Sequence, residues 1–172
     1  MASKVKPIPE GYHSVTPYLT VKGAAKAIDF YKKVFGAKEL KRMEMPGGAV
    51  GHAELQIGDS MIMLADEFPA MGNKSPQSVG GTPVTVHLYV EDVDKTAELA
   101  VSAGAVLKSP VRDQFYGDRS GTLTDPFGHV WYISTHVEDM SNEEMQRRAE
   151  VWRSEHEGKS KAGPQSGAKA RS

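Results

Sequence analysis

Two stretches of this chain repeat each other, and the repeat restricts the fold more than any other feature. VTPYLTVKGAAKAIDFYKKVFGA, starting at Val15, lies over VTVHLYVEDVDKTAELAVSAGA, starting at Val84. Val15, Thr16, Leu19, Val21 and Lys26 recur 69 residues later as Val84, Thr85, Leu88, Val90 and Lys95, and a one-residue contraction brings Gly36-Ala37 onto Gly104-Ala105. Identity coincides with punctuation: an alternating run, a helical stripe, a glycine stop. Each half therefore opens with a strand followed by a helix.

Alternation assigns the faces. In the first strand Val15, Pro17, Leu19 and Val21 share one side and Thr16, Tyr18 and Thr20 the other; in the second, Val84, Val86, Leu88 and Val90 oppose Thr85, His87 and Tyr89. The helices carry the matching apolar stripes, Ala24, Ala27, Ile28, Tyr31, Val34 and Phe35 in the first and Val93, Ala97, Ala100 and Val101 in the second. Asp92 suits the N-cap of the second helix, and Gly36 and Gly104 suit a positive φ after each helix.

Further strands separated by turn residues follow each helix. They are Lys38 to Met45, Val50 to Ile57 and Ser60 to Ala65 in the first half, and Val106 to Ser109, Gly121 to Thr124 and Val130 to Thr135 in the second. Both halves read βαβββ. The expected fold class is α+β, two such modules forming an open, mainly antiparallel half-barrel with a C-terminal helix and a disordered tail. The segments are an N-terminal arm (1–12), a two-module domain (13–138), a C-terminal helix (139–157) and a Gly, Ser and Lys-rich tail (158–172). Within the domain, module one spans 13–66 and module two 82–138, joined by a linker over 67–81. Between Ser141 and His156, Ser141 and Glu144 form a capping-box pattern and Met145, Ala149 and Trp152 share a face, which suits either a partner subunit or the helix's own domain.

Composition narrows the function classes. Twenty-one basic residues against 22 acidic ones give a net charge of -1, so no global field attracts nucleic acid or an anionic membrane. Cysteine is absent, which excludes disulfides, thiolate metal sites and cysteine nucleophiles. No stretch approaches the apolar length of a membrane span or a signal peptide, and a cytoplasmic location is expected.

The βαβββ repeat, AIDFYKKVFGA at Ala27 to Ala37 and TDPFGHVWYI at Thr124 to Ile133 resemble the vicinal oxygen chelate superfamily, which contains glyoxalase I, extradiol dioxygenases, fosfomycin-resistance enzymes and bleomycin-binding proteins. GHAELQIGDSMIMLADE from Gly51 and DQFYGDRSGTLTDPFGHVWYISTHVED from Asp113 are similar to its glyoxalase-like subgroup named after the phosphonate-operon B protein. The resemblance implies that metal-dependent members place ligands on the first and last strand of each module. Here those positions fall on Thr16, Met63, Thr85 and Tyr132, none an ordinary ligand, and the neighbouring Ile62, Trp131 and Ile133 are no better. No metal and no cofactor is expected.

The candidate site lies on the strand faces turned away from the helices. His52 and Glu54 alternate on one strand and are the candidate catalytic pair, a carboxylate base beside an imidazole, against the alternative of a solvated strand face. Tyr18, Met61, Met63, His87 and Tyr132 are candidate ligand contacts, offering aromatic and thioether walls with polar tips. Tyr116 and Arg119 sit in an expected loop at the rim, where Arg119 suits a bidentate anion contact or an ion pair with Asp113, Asp118 or Asp125. A non-standard metal set of His52, Glu54, His87 and His136 is the less favoured reading of the histidines. Trp131 is expected in the core.

The function expected is metal-independent binding of a small aromatic or amphipathic molecule by a homodimer, as the resemblance to the bleomycin-binding branch implies. The alternatives are a glyoxalase-type lyase or isomerase using His52 and Glu54, and a structural or regulatory dimer without a ligand.

Overall fold

The structure, a computed structural model, describes residues 5–156. Residue 157 and the tail expected over 158–172 lie outside the described residues. Module one contains β1 (Tyr18–Val21), α1 (Ala24–Phe35), β2 (Lys38–Glu44), β3 (Val50–Ile57) and β4 (Ser60–Asp66). A 3-10 turn (Pro69–Met71) and a one-turn helix, α2 (Pro76–Val79), connect it to module two: β5 (Thr85–Tyr89), α3 (Val93–Ser102), β6 (Val106–Asp113), β7 (Asp118–Thr124) and β8 (Val130–His136). The last element is α4 (Asn142–His156). The sheets have the orders β1-β4-β3-β2 and β5-β8-β7-β6, and each combines one parallel pair with two antiparallel ones. Both remain open four-stranded sheets, as the βαβββ repeat implies.

The repeat extends to the chemistry that starts each helix. α1 begins after Gly23, whose φ is 94° and which has no side chain to cap with. Asp66 at the end of β4 supplies the acceptor instead, taking 2.8 Å bonds from the Gly23 and Ala24 amides. Thr135 stands 69 residues on, and its hydroxyl accepts from the Val93 amide at 2.9 Å. Asp92 adds the side-chain cap to the Lys95 amide.

One core joins the modules. Ala24, Ala27, Ile28, Tyr31, Val34 and Phe35 of α1 are buried as their stripe predicts, and Trp131 and Ile133 of β8 belong to the same cluster. Aromatic packing crosses the boundary: the Phe35 and Trp131 ring centroids are 4.6 Å apart, and Tyr31 and Trp131 5.4 Å. The His129 Nε2 sits 3.0 Å from the carbonyl oxygen of Thr20, which only accepts, so that nitrogen carries the proton.

Several expected boundaries move, each for a local reason. β1 starts at Tyr18, and Val15 is 84% exposed. The register Tyr18↔Met63 would set Val15 against Ser60, where β4 is only leaving its turn, and Pro17 brings no amide. Val84 is likewise exposed, because its counterpart would be His129 in the turn before β8. β6 runs on through Pro110 to Asp113, which an edge strand tolerates at the register shift between Ser109 and Arg112. β7 begins at Asp118, placing Arg119 in a strand instead of a loop. Val101 is exposed because the buried stripe of α3 is only Val93, Ala97 and Ala100. The linker is not structureless: Glu67 accepts from the Ser75 amide and hydroxyl and the Ser78 hydroxyl, which holds α2 in place. Those bonds lower the Glu67 pKa to about 2. α4 buries none of its residues. Its Trp152 ring lies 5.7 Å from Phe115, and Arg148 pairs with Glu138.

Candidate functional site

Sheet register sets the candidate residues. Tyr18, Met63, Glu54 and Lys41 stand opposite one another across β1, β4, β3 and β2, while His87, Tyr132 and Thr122 do so across β5, β8 and β7. Tyr18 thus faces Met63 and His87 faces Tyr132, while Thr16 lies two residues before Tyr18 and Thr85 two before His87. Of these six residues only His87 is a common metal ligand. A divalent cation does not fit these donors, and among the described residues no three His, Asp or Glu side chains are grouped to hold one.

On module one, His52 and Glu54 meet. His52 Nε2 is 3.2 Å from Glu54 Oε1, and His52 Nδ1 is 3.0 Å from the Tyr18 hydroxyl. With Glu54 ionised, Nε2 carries the proton of the neutral imidazole and Nδ1 accepts from Tyr18. The other Glu54 oxygen accepts from the phenol of Tyr12, and Lys41 Nζ lies 3.7 Å from Oε1. The Tyr12 bond, followed by His52 and Lys41, holds the Glu54 carboxyl below its ordinary value despite partial burial. A general base working near neutrality needs the opposite shift. Burial, then the same contact, raises Tyr12 to about 12.

On module two, His87 Nε2 lies 3.0 Å from the Ser134 hydroxyl, and its ring stacks on Tyr89 at 4.7 Å and meets Tyr132 edgewise at 5.0 Å. The Tyr132 hydroxyl bonds Tyr116 and, at 2.7 Å, Ser120. Burial, then the Tyr132 bond, pushes Tyr116 to about 12. Tyr89 donates to Asp118 at 2.9 Å, and His136 stands between Asp118 at 2.7 Å and Asp139 at 3.0 Å. His136 thus faces its own carboxylates, and the four-residue set with His52, Glu54 and His87 is not assembled.

A cleft of about 560 Å³ opens where the edge strands β1 and β5 approach each other. Tyr18 and His87 line it from opposite modules, with Pro76, Val79 and Pro83 supplying apolar wall and His129 a further ring. A second cleft, of about 310 Å³, is lined by Met61, His87 and the residues around the β3–β4 turn. His52, Glu54, Met63, Tyr116 and Tyr132 line neither. Arg119 is turned to the helix-covered side of β7, where it binds Asp94 of α3 at 2.6 and 2.7 Å and Asp113 at 3.0 Å.

Three participants escape the sequence reading. Tyr12 belongs to the segment read as an arm and reaches Glu54 across 42 residues, which no local pattern announces. Ser120 and Ser134, both fully buried, follow from the alternation that places Tyr132 on the same face.

Comparisons with known proteins agree with this architecture. Residues 11–133 match the model of the Glyoxalase/Bleomycin resistance protein/Dioxygenase superfamily. The Mycobacterium tuberculosis protein Rv0887c is 45% identical over 149 residues, covering 85% of this chain and 84% of its own length. Escherichia coli YjdN is 26% identical over 141 residues, covering 70% and 93%. Among solved structures, TioX from Micromonospora superposes with a TM-score of 0.57 at 27% identity over 73% of this chain and 99% of its own.

Proposed function

We propose that this chain, which belongs to the glyoxalase/bleomycin resistance protein/dioxygenase superfamily, binds a small aromatic or amphipathic molecule without a divalent metal. The carrying observation is the β1–β5 cleft, whose volume suits a small ligand and whose walls combine apolar prolines and valine with the polar tips of Tyr18 and His87. The donor set supports the metal-free reading, since the cross-strand quartet is Tyr18, Met63, His87 and Tyr132. Both carboxylate oxygens of Glu54 are engaged and its pKa is lowered, which favours binding over acid–base turnover. Chemical-shift mapping of an aromatic fragment library is the test. Hits should cluster on Tyr18, His87 and His129 and weaken in Tyr18→Leu and His87→Leu; hits confined to other surfaces refute the site.

The working form proposed is a cytoplasmic homodimer. β2 and β6 are edge strands, and Leu40, Met43, Val106 and Leu107 on them are exposed. Light scattering at micromolar concentration decides it, a monomer mass excluding the dimer.

A further inference from the structure

The segment before β1 makes an unusual attachment. From Val5 to Val15 every residue is exposed except Tyr12. That side chain places its phenol on Glu54, the most highly connected polar group on the open face of module one. Among the described residues of the arm, the hydrogen bond that reaches the sheet is this phenol-to-carboxylate bond, and the Tyr12 amide donates to the Pro9 carbonyl within the arm.

Module two supplies the comparison. Tyr116 also lays a phenol on the open face of its sheet, on Tyr132. Its backbone is locked: Gly117 has φ 92°, and a Cβ there would stand 2.3 Å from the Glu138 carbonyl oxygen. The Val137 and Glu138 amides both donate to the Gly117 carbonyl. Tyr116 is therefore a wall of the fold, whereas Tyr12 is tethered to it by an exposed chain.

We infer that Tyr12 occupies a phenol-binding site, and that the ligand class of this face is a hydroxylated aromatic whose hydroxyl takes Tyr12's place on Glu54, displacing the arm. This rests on the small-molecule reading above and names its chemistry at Glu54, which lies outside the β1–β5 cleft and is joined through His52 to Tyr18 on the cleft wall. Glu54 is ionised and its Oε1 is engaged by His52 and Lys41, so Oε2 is an acceptor that needs one donor. A phenol meets that need, as the Tyr12 hydroxyl does on Oε2. A carboxylate or phosphate ligand would face like charge at the same atom, and an aromatic without a hydroxyl would leave the acceptor bare. The tether gives Tyr12 an effective concentration on the order of millimolar, so the arm competes with a free phenol and sets a threshold for binding.

The experiment uses the full chain, Tyr12→Ala and Tyr12→Ala with Glu54→Gln, titrated by NMR with p-cresol and with 4-methylanisole, which has the same ring and no donor. Tyr12→Ala should bind p-cresol at least about twofold more tightly than the unaltered chain, the factor being one plus the ratio of the arm's effective concentration to the phenol's own Kd. It should prefer p-cresol to 4-methylanisole, and Glu54→Gln should erase most of that preference. Equal affinity of the unaltered chain and Tyr12→Ala, or no preference for the hydroxyl, overturns the inference. If fragments still map to Tyr18 and His87 in that case, only the phenol assignment falls. If neither protein binds aromatic fragments at all, the small-molecule reading falls with it. Tyr12 lies outside the core, and unchanged melting of Tyr12→Ala shows that the fold is intact.

Discussion

The phenol of Tyr31 in α1 donates a 2.7 Å hydrogen bond to Oδ2 of Asp125, 94 residues away in the turn before β8. Trp131 Nε1 donates to the same oxygen at 2.9 Å, and the other carboxylate oxygen takes the Phe127 and His129 amides. Asp125 is thus a buried carboxylate whose four donors come from both modules. The bond ties the first helix to the second module, beside the Tyr31–Trp131 and Phe35–Trp131 ring contacts. Burial, then the nearby Asp125 charge, holds Tyr31 well above the ordinary phenol range, so it remains a donor at any physiological pH.

Tyr31→Phe removes one donor from a carboxylate that keeps three, at a cost of about 1.5 to 3 kcal/mol. Thermal unfolding should show a fall on the order of 5 °C. Asp125→Ala strands the Tyr31 hydroxyl, the Trp131 indole and two backbone amides, and should cost upward of about 3 kcal/mol. Equal melting temperatures for Tyr31→Phe and the unaltered chain would remove this bond from the account of module docking.

His136 gives a pH dependence with a definite sign. Asp118 first and Asp139 second raise its pKa above the ordinary imidazole value. A raised folded value means that the pairing stabilises fully below the unfolded pKa and is lost as pH rises through the folded one. His136→Gln should therefore lower the melting temperature most at about pH 5.5, below the usual imidazole pKa of about 6.5, and least at alkaline pH. Because the ring is half exposed the effect is small, and its trend with pH is the readout. A difference that grows with pH contradicts the pairing.

Arg119 separates position from proximity. Its guanidinium already binds Asp94 and Asp113, across from the face that carries Tyr132. Arg119→Met should leave the affinity for an aromatic fragment within about twofold and alter melting only slightly, as exposed ion pairs do. A tenfold loss of affinity in Arg119→Met would return this residue to the binding surface.

How much of this was legible in the sequence follows from range. The repeat and the alternation carry both modules, because the strands and helix stripes are local patterns with fixed periods, and Leu19, Ile28 and Trp131 are buried as those periods require. The ends of β1 and β5 are set by where β4 and β8 leave their turns, which is a register between distant segments. That is why Val15 and Val84 read as core and are exposed. His52 and Glu54 were legible as neighbours because two residues on one strand face must meet. Alternation put Tyr18 on the same face, but Tyr12, which bonds Glu54 from 42 residues away in the arm, is carried by no local pattern.

The central claim, metal-independent binding of a small molecule, is tested most directly by native mass spectrometry of the protein purified from its own cells, paired with elemental analysis for zinc, nickel, manganese and iron. The account predicts an organic adduct that is retained under gentle ionisation and weakened in His87→Leu, with no divalent metal approaching one per chain. One retained metal ion per chain, lost in His52→Ala or His87→Ala, would contradict it.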